Sequence, residues 1–197
     1  MLDEAYPCSV DVAGAEVPVR TGWRTGVRLM RLDMKEEGGR ADALALLFGG
    51  VGLKDGQEGP FRREVALRPT AALLAGVRWH RGGLEQMRYA GKPRKAERRA
   101  FDIDQDAAAV VCDFQRLYGI DLTDTGLQMH WYRFCALLLG AMRTEGSLLC
   151  QATQARLRKP PPKASQETRE AVRAAAEAWR LAPTKSEELA RLARAMG

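Results

Sequence analysis

The segment from Met129 to Met142 constrains the fold more than any other part of the 197-residue sequence, because it is apolar on nearly every side of a helix. Its apolar residues include Trp131, Phe134, Cys135 and the run Leu137 to Leu139. A helix without a polar face must be surrounded by other elements, so we predict that this segment is the central helix of a core. It is shorter than the roughly 20 residues that cross a bilayer as a helix, so we predict no transmembrane span.

The sequence around this segment predicts a mainly α fold with one short N-terminal β-hairpin. Cys8 to Val12 and Ala15 to Val19 alternate in character, and the Ala13-Gly14 pair between them suits a tight turn. Apolar residues recur at helical spacing in most of the remaining sequence, whereas residues 49–60 form a polar loop. The predicted helices cover residues 21–34, 41–48, 69–81, 104–118, 129–142 and 147–158.

The C-terminal sequence predicts a separate helical pair. We assign residues 1–158 to a main helical domain, 159–164 to a proline-rich linker and 165–197 to the pair. Ser165 suits the start of its first helix, and Thr184 with Glu187 forms a capping box for the second. The apolar stripes of the pair are too narrow to form a core, so the pair must dock on its own domain or on a partner. The candidate partner-binding residues are Val172, Trp179, Leu189, Leu192 and Met196.

The cysteines and the charge say little about function. Cys8, Cys112, Cys135 and Cys150 lie far apart without a ligand-type pair, so we expect free buried thiols in a reducing cytoplasm. The net charge of +6 permits a nucleic acid partner without requiring one. The basic stretch from Arg88 to Arg99 is typical of a solvated linker, and phosphate binding is its alternative function.

Three aspartates before one predicted helix resemble the start of a calcium-binding loop. Asp102, Asp104 and Asp106 alternate as calcium ligands do, but Ala107 stands where such a loop needs glycine. A simpler interpretation is that one aspartate caps the helix and the others favour the positive end of its dipole. We therefore predict no metal site.

No other motif indicates catalysis. The segment from Gly50 to Gly52 with Lys54 lacks the complete phosphate-binding pattern and is more typical of a flexible turn. His80 suits a helix C-terminus, and His130 suits a capping or core hydrogen bond. We predict no catalytic residues and no cofactor, so the chain is not expected to be an enzyme.

A signature of three parts lies in the middle of the chain. An acidic and aromatic helix start, Phe101 to Ala107, is followed by a Tyr-Gly-Ile-Asp-Leu stop, Tyr118 to Leu122, and then by a His-Trp helix that begins at His130. The order and spacing of these parts resemble the bacteriophage gene-product-fifteen family of long-tailed phages and prophages. The resemblance covers about residues 5–160 and is tight from Phe101 to Gly140. We expect most signature residues to pack in the core around the central helix. They are Phe101, Asp104, Tyr118, Gly119, Asp121, His130, Trp131 and Phe134.

The resemblance implies a role in tail morphogenesis without catalytic residues. It implies a tail assembly chaperone that keeps the long tape measure protein soluble in the host cytoplasm. The major tail protein or another tail assembly protein is a further possible partner. Two alternatives stay open: a structural tail subunit retained in the virion, and a basic protein that binds nucleic acid through Arg88 to Arg99.

Overall fold

The computed structural model describes residues 6–49, 60–85 and 99–195, and within them it confirms the predicted mainly helical fold with an N-terminal hairpin. The elements are β1 (Ser9–Val12), β2 (Ala15–Pro18), α1 (Trp23–Met30), α2 (Glu37–Phe48), α3 (Pro60–Leu67), α4 (Pro69–Glu85), α5 (Ala107–Tyr118), α6 (Trp131–Arg143), α7 (Leu148–Leu157), α8 (Gln166–Ala178) and α9 (Lys185–Ala195).

The chain divides into two compact units. Unit 1 comprises Met1–Gly91 with Asp124–Leu139, and unit 2 comprises Lys92–Thr123 with Gly140–Gly197. The division falls within α6. Compactness does not test independent folding, so the domain boundaries at residues 158 and 165 stay a prediction.

The hairpin forms in the predicted place because its turn suits the residues there. Ala13 has a φ of 53° and Gly14 a φ of 90°, the positive values that a two-residue hairpin turn of type I′ requires. Val10 lies opposite Val17 in the antiparallel register. Val12 and Val17 are buried and form a small core with Ala72, whereas Asp11 and Glu16 are exposed. One face of the hairpin therefore packs within unit 1.

The helices of unit 1 differ from the prediction mainly at their ends. α1 is shorter than predicted, while α2 and α4 are longer. The segment from Pro60 to Leu67 forms α3, although the polar loop was predicted to reach Pro60 and no helix was predicted between the loop and residue 69. Val65 of α3 packs against the small core under the hairpin. This added helix gives the hairpin part of its apolar support.

The apolar segment that dominates the sequence is a buried helix, as predicted. In α6 the side chains of Trp131, Phe134, Cys135 and Leu138 are buried. Burial raises the pKa of the Cys135 thiol to about 12, so this thiol stays protonated at neutral pH. Cys150 is also buried, but Cys8 and Cys112 are exposed, so the expectation of buried thiols was wrong for those two.

Two helices of unit 2 have specific capping chemistry, α5 at its end and α7 at its start. α5 ends at Gly119, whose φ of 65° is the left-handed conformation that favours glycine. The hydroxyl of Ser147 accepts a hydrogen bond from the Cys150 N–H at the start of α7. The buried carboxylate of Asp113 accepts two more N–H groups of that turn, from Leu148 at 3.1 Å and Leu149 at 2.8 Å. Asp113 thus joins α5 to the first turn of α7.

Within the described residues, no helix is long and apolar enough to cross a membrane.

Candidate functional site

Trp131 of the family signature has a packing role in unit 1. Its indole N–H donates a hydrogen bond to the main-chain carbonyl of His80 at 2.9 Å, and the two rings stack with centroids 4.8 Å apart. A Cβ atom at Gly26 or Gly83 would lie 2.1 or 2.4 Å from the indole. Glycine at both positions therefore lets α1 and α4 approach the ring. The other buried signature residue of this unit, Phe134, stacks on Trp23 at 5.2 Å.

Both histidines make hydrogen bonds that fix the positions of their rings. His130 Nδ1 accepts the Tyr132 N–H at 3.1 Å, and Nε2 donates to the Pro7 carbonyl at 3.3 Å, which confirms the predicted capping or core hydrogen bond. His80 Nε2 donates to the Gly26 carbonyl at 2.9 Å. The rings therefore link α4 and α6 to neighbouring segments of unit 1.

Unit 1 is expected to lose stability as the pH falls from about 8 to about 5. Burial lowers the pKa of His80 and of His130 below the ordinary 6.5, and the hydrogen bonds to main-chain carbonyls only partly oppose this. The unfolded chain therefore binds more protons below about pH 6.5, so its free energy falls relative to the folded state. Urea unfolding at several pH values in this range should show the fall in the free energy of unfolding. The variant His80→Gln should show a smaller fall over the same range. If the free energy of unfolding depended on pH identically in the variant, His80 would not contribute to the loss of stability.

The other signature residues lie in unit 2. Tyr118 is half-buried and meets Phe114 edge-on at 5.5 Å. Asp121 is exposed and accepts the Thr123 N–H at 2.8 Å. Phe101 is half-buried, whereas Asp104 and Gly119 are exposed. These residues shape turns and packing.

The aspartate triplet organises a turn before α5 and does not cap the helix through Asp106. The carboxylate of Asp102 accepts the N–H groups of Asp104 at 3.1 Å and Gln105 at 3.0 Å. Asp106 stands at the N-cap position, but its side chain accepts no hydrogen bond from the helix. In the part of the chain that the structure describes, no cluster of acids, histidines or cysteines is arranged to hold a metal ion.

Asp106 instead forms a buried ion pair with Arg156, at the end of α7. The guanidinium donates to both carboxylate oxygens, at 2.8 and 2.7 Å, and the side chains are only 8% and 4% exposed. The same guanidinium donates to the main-chain carbonyls of Ala100 at 2.8 Å and Trp179 at 2.5 Å. We call this arrangement the Arg156 clamp. It joins the start of α5, the end of α7 and the end of α8.

A second set of hydrogen bonds holds the loop between α8 and α9. Ala182 donates its N–H to Gln105 Oε1 at 2.6 Å, and its carbonyl accepts from Gln105 Nε2 and from the Arg99 guanidinium. Arg99 also pairs with Asp102 at 3.0 Å. We call the contacts of Arg99 and Gln105 with Ala182 the Ala182 anchor. Arg99 is the one residue of the basic stretch that lies within the described residues, and its contacts here are structural.

α8 packs on its own unit. Val172 is buried and lines a groove between α8 and α7 together with Gln151, Gln154 and Ala155. Trp179 is half-buried, and its carbonyl belongs to the Arg156 clamp. Two of the five predicted partner-binding residues thus contribute to holding α8 in place.

α9 presents an apolar stripe to solvent. Leu189 is 66% exposed and Leu192 is 59% exposed, and Met196 lies outside the described residues. The predicted capping box is confirmed at the start of the helix: Thr184 N–H donates to Glu187 at 2.6 Å, and Glu187 N–H donates to the Thr184 hydroxyl at 3.2 Å. Hydrogen bonds from the main chain and the side chain of Thr184 to the Glu187 carboxylate lower the pKa of Glu187. We call the exposed pair Leu189 and Leu192 the α9 stripe, and it is the candidate partner-binding site.

A comparison with protein families decides which family the chain represents. The profile described as "Bacteriophage Gp15 protein" matches residues 75–181, more than half of the 197 residues. The chain belongs to the bacteriophage Gp15 protein family. The Gp15 match confirms the resemblance found in the sequence and makes this a phage-related protein. It includes the whole signature and the Arg156 clamp, and it ends before Ala182 and α9. No curated protein and no solved structure matches the chain.

Proposed function

We propose that this Gp15 protein is a non-enzymatic tail assembly chaperone that binds the tape measure protein in the host cytoplasm through the α9 stripe. The observation that supports this most directly is the exposure of Leu189 and Leu192 on a helix whose start is held in a fixed position. The capping box stabilises the first turn, and the Ala182 anchor attaches the preceding loop to unit 2. A firmly positioned apolar stripe is suited to binding a helix of another protein.

The size of the α9 stripe suits a reversible complex. Burying two leucine side chains contributes about 3–6 kcal/mol before the loss of translational and rotational freedom is subtracted. Such a contact holds a partner helix only weakly at each site. A chaperone that covers a long helical partner and then leaves it needs weak contacts that repeat along the partner.

We expect the double variant Leu189→Ser/Leu192→Ser to lose most of its bound tape measure protein, at least about tenfold, because each serine removes the apolar contact. The tagged chain is co-expressed with the neighbouring tail genes, captured and washed at high salt, and bound tape measure protein is quantified by mass spectrometry. Leu157→Ser is the matched control, since Leu157 is 47% exposed on α7 and outside the α9 stripe. Full retention of tape measure protein by the double variant would refute the site.

Two other functions give different results in related experiments. A structural subunit would be recovered in stoichiometric amounts from purified virions, whereas a chaperone would be absent from them. A nucleic acid binder would bind in a salt-sensitive way that weakens when Lys92, Arg94 and Lys95 are neutralised. Recovery of the major tail protein or another tail assembly protein without the tape measure protein would reassign the partner.

A further inference from the structure

Tyr6 and Pro7, where the described part of the chain begins, pack on the aromatic side chains of unit 1. The Tyr6 ring stacks on the His130 ring with centroids 5.0 Å apart and meets the Tyr132 ring at 5.9 Å. The Pro7 carbonyl accepts two hydrogen bonds, from the Trp79 indole N–H at 2.8 Å and from His130 Nε2 at 3.3 Å. We call Tyr6 and Pro7 the N-terminal strap.

The strap is attached separately from the hairpin that follows it. The carbonyl of Cys8 accepts the Val19 N–H at 2.9 Å, which continues the hydrogen bonding of β1 and β2. Tyr6 is 40% exposed, whereas the Trp79 side chain is only 5% exposed. The indole N–H of Trp79 thus depends on the strap for its acceptor, and it reports whether the strap is in place.

His130 can hold the strap in one protonation state only. Its Nδ1 accepts the main-chain N–H of Tyr132 at 3.1 Å, so Nδ1 carries no proton. The proton of the neutral ring therefore lies on Nε2, which donates it to the Pro7 carbonyl. A main-chain N–H can only donate and a carbonyl can only accept, so these two contacts select a single tautomer.

A second proton on His130 would disrupt this arrangement. It must bind Nδ1, where the ring N–H would then face the Tyr132 N–H, and two donors cannot share a hydrogen bond. His130 also stands directly before α6, where the helix dipole disfavours a positive charge. Burial lowers the pKa of His130 in the same direction. The charged ring must turn away, which removes Nε2 from Pro7 and the ring face from Tyr6.

The groups around His130 leave this ring as the one that responds between about pH 5 and 8. The strap, α4 and α6 each contribute one ring: Tyr6, Trp79 and Tyr132. Tyrosine ionises near pH 10, and burial raises the pKa of Tyr132 further. The segment before α1 pairs with His130 through Gly22, which has no side chain. The charged residues closest in sequence to the rings of α4 and α6 are exposed: Arg78, Arg81, Glu85 and Arg133. The second histidine, His80, stacks on Trp131 instead.

We propose that His130 is a pH-sensitive latch: its neutral ring holds the N-terminal strap on unit 1, and its protonation releases the strap while the helices stay folded. Release leaves the Trp79 indole N–H without its acceptor. This local opening is distinct from the general loss of stability of unit 1, which involves unfolding of the helices. The latch belongs to unit 1 and the α9 stripe to unit 2, so neither proposal depends on the other.

The test is hydrogen exchange of the Trp79 indole N–H, followed by NMR on the ¹⁵N-labelled full chain from about pH 7.5 to about pH 5.5. The protection factor, which is the intrinsic exchange rate divided by the measured one, reports how often the hydrogen bond opens. It should fall by about three- to tenfold over this range, because opening takes up one proton. Helix content from far-UV circular dichroism should stay unchanged. The signals are assigned by their absence in Trp79→Phe and Trp131→Phe.

Two histidine variants identify the group responsible. His130→Gln takes up no proton in this range, so its Trp79 protection factor should be the same at both ends. His80→Gln is the matched control, because it removes the histidine next to Trp79 in sequence and should leave the fall unchanged. A protection factor that does not fall in the original chain, or that falls equally in His130→Gln, would overturn the proposal.

The strap itself is tested at neutral pH. Tyr6→Ala removes the ring that stacks on His130, so it should lower the Trp79 protection factor by about threefold or more and leave that of Trp131 unchanged. Trp131 is a suitable reference because its indole N–H donates to the His80 carbonyl within the same unit. Equal protection of Trp79 and Trp131 at every pH would show that both exchange only when unit 1 unfolds, and the latch would be wrong. An unchanged Trp79 protection factor in Tyr6→Ala would also contradict it.

Discussion

The variant Arg156→Met is expected to lower the free energy of unfolding by about 3–5 kcal/mol, because it leaves a buried carboxylate without its counter-ion. Asp106 is 4% exposed and receives both of the charge-assisted hydrogen bonds that Arg156 donates to it. The carbonyls of Ala100 and Trp179 would also lose a donor. Urea unfolding at neutral pH, followed by far-UV circular dichroism, measures the loss.

Two comparisons isolate the buried charge as the cause. The double variant Asp106→Asn/Arg156→Met removes both charges and should be more stable than Arg156→Met alone. Arg180→Met removes an exposed arginine that pairs with Glu177 at 3.1 Å, and should change stability by no more than about 0.5 kcal/mol. If Arg156→Met lowered the free energy of unfolding no more than Arg180→Met does, the Arg156 clamp would have no major structural role.

The variant Trp131→Ala should lower the free energy of unfolding by about 3–5 kcal/mol, because a large buried side chain leaves a cavity. The indole is fully buried, donates to the His80 carbonyl and is covered where α1 and α4 carry glycine. Thermal and urea unfolding of the full chain measure the change. The loss should appear in tertiary signals such as near-UV circular dichroism as well as in helix content.

Trp179→Ala is the matched control for this prediction, since Trp179 is only half-buried and contributes its main-chain carbonyl to the Arg156 clamp. Trp179→Ala should lower the free energy of unfolding by clearly less than Trp131→Ala does. Trp131→Phe keeps a ring in the cavity but removes the N–H donor, so its loss should be intermediate. A loss for Trp131→Ala no larger than that for Trp179→Ala would show that Trp131 does not organise the packing of unit 1.

The features that the sequence predicted correctly depend on short-range chemistry. The hairpin turn at Ala13 and Gly14, the cap at Ser165 and the box of Thr184 with Glu187 each involve residues at most three positions apart. The uniform apolar character of residues 129–142 indicated a buried helix by the same kind of local evidence. These features can be predicted from the sequence without knowledge of the tertiary contacts.

The features that the sequence did not show depend on long-range contacts. Asp106 and Arg156 are 50 residues apart, and no local pattern distinguishes this arginine from the exposed ones. The aspartate triplet was assigned to helix capping because its neighbours in sequence explain that role, whereas its partner in space lies on α7. In the same way, Val172 looked available for a partner because its contacts on α7 lie in a distant part of the sequence.

The contacts that hold the loop after α8 end on main-chain atoms. Arg156 binds the carbonyl of Trp179, and Arg99 and Gln105 bind the carbonyl of Ala182, whose N–H returns a bond to Gln105. Every amino acid supplies a carbonyl, and every one except proline supplies an N–H. The side chains of this loop can therefore change while its attachment through main-chain atoms persists. If α9 binds a partner as proposed, side chains beyond residue 183 can change with that partner while the main-chain attachment of the loop is kept.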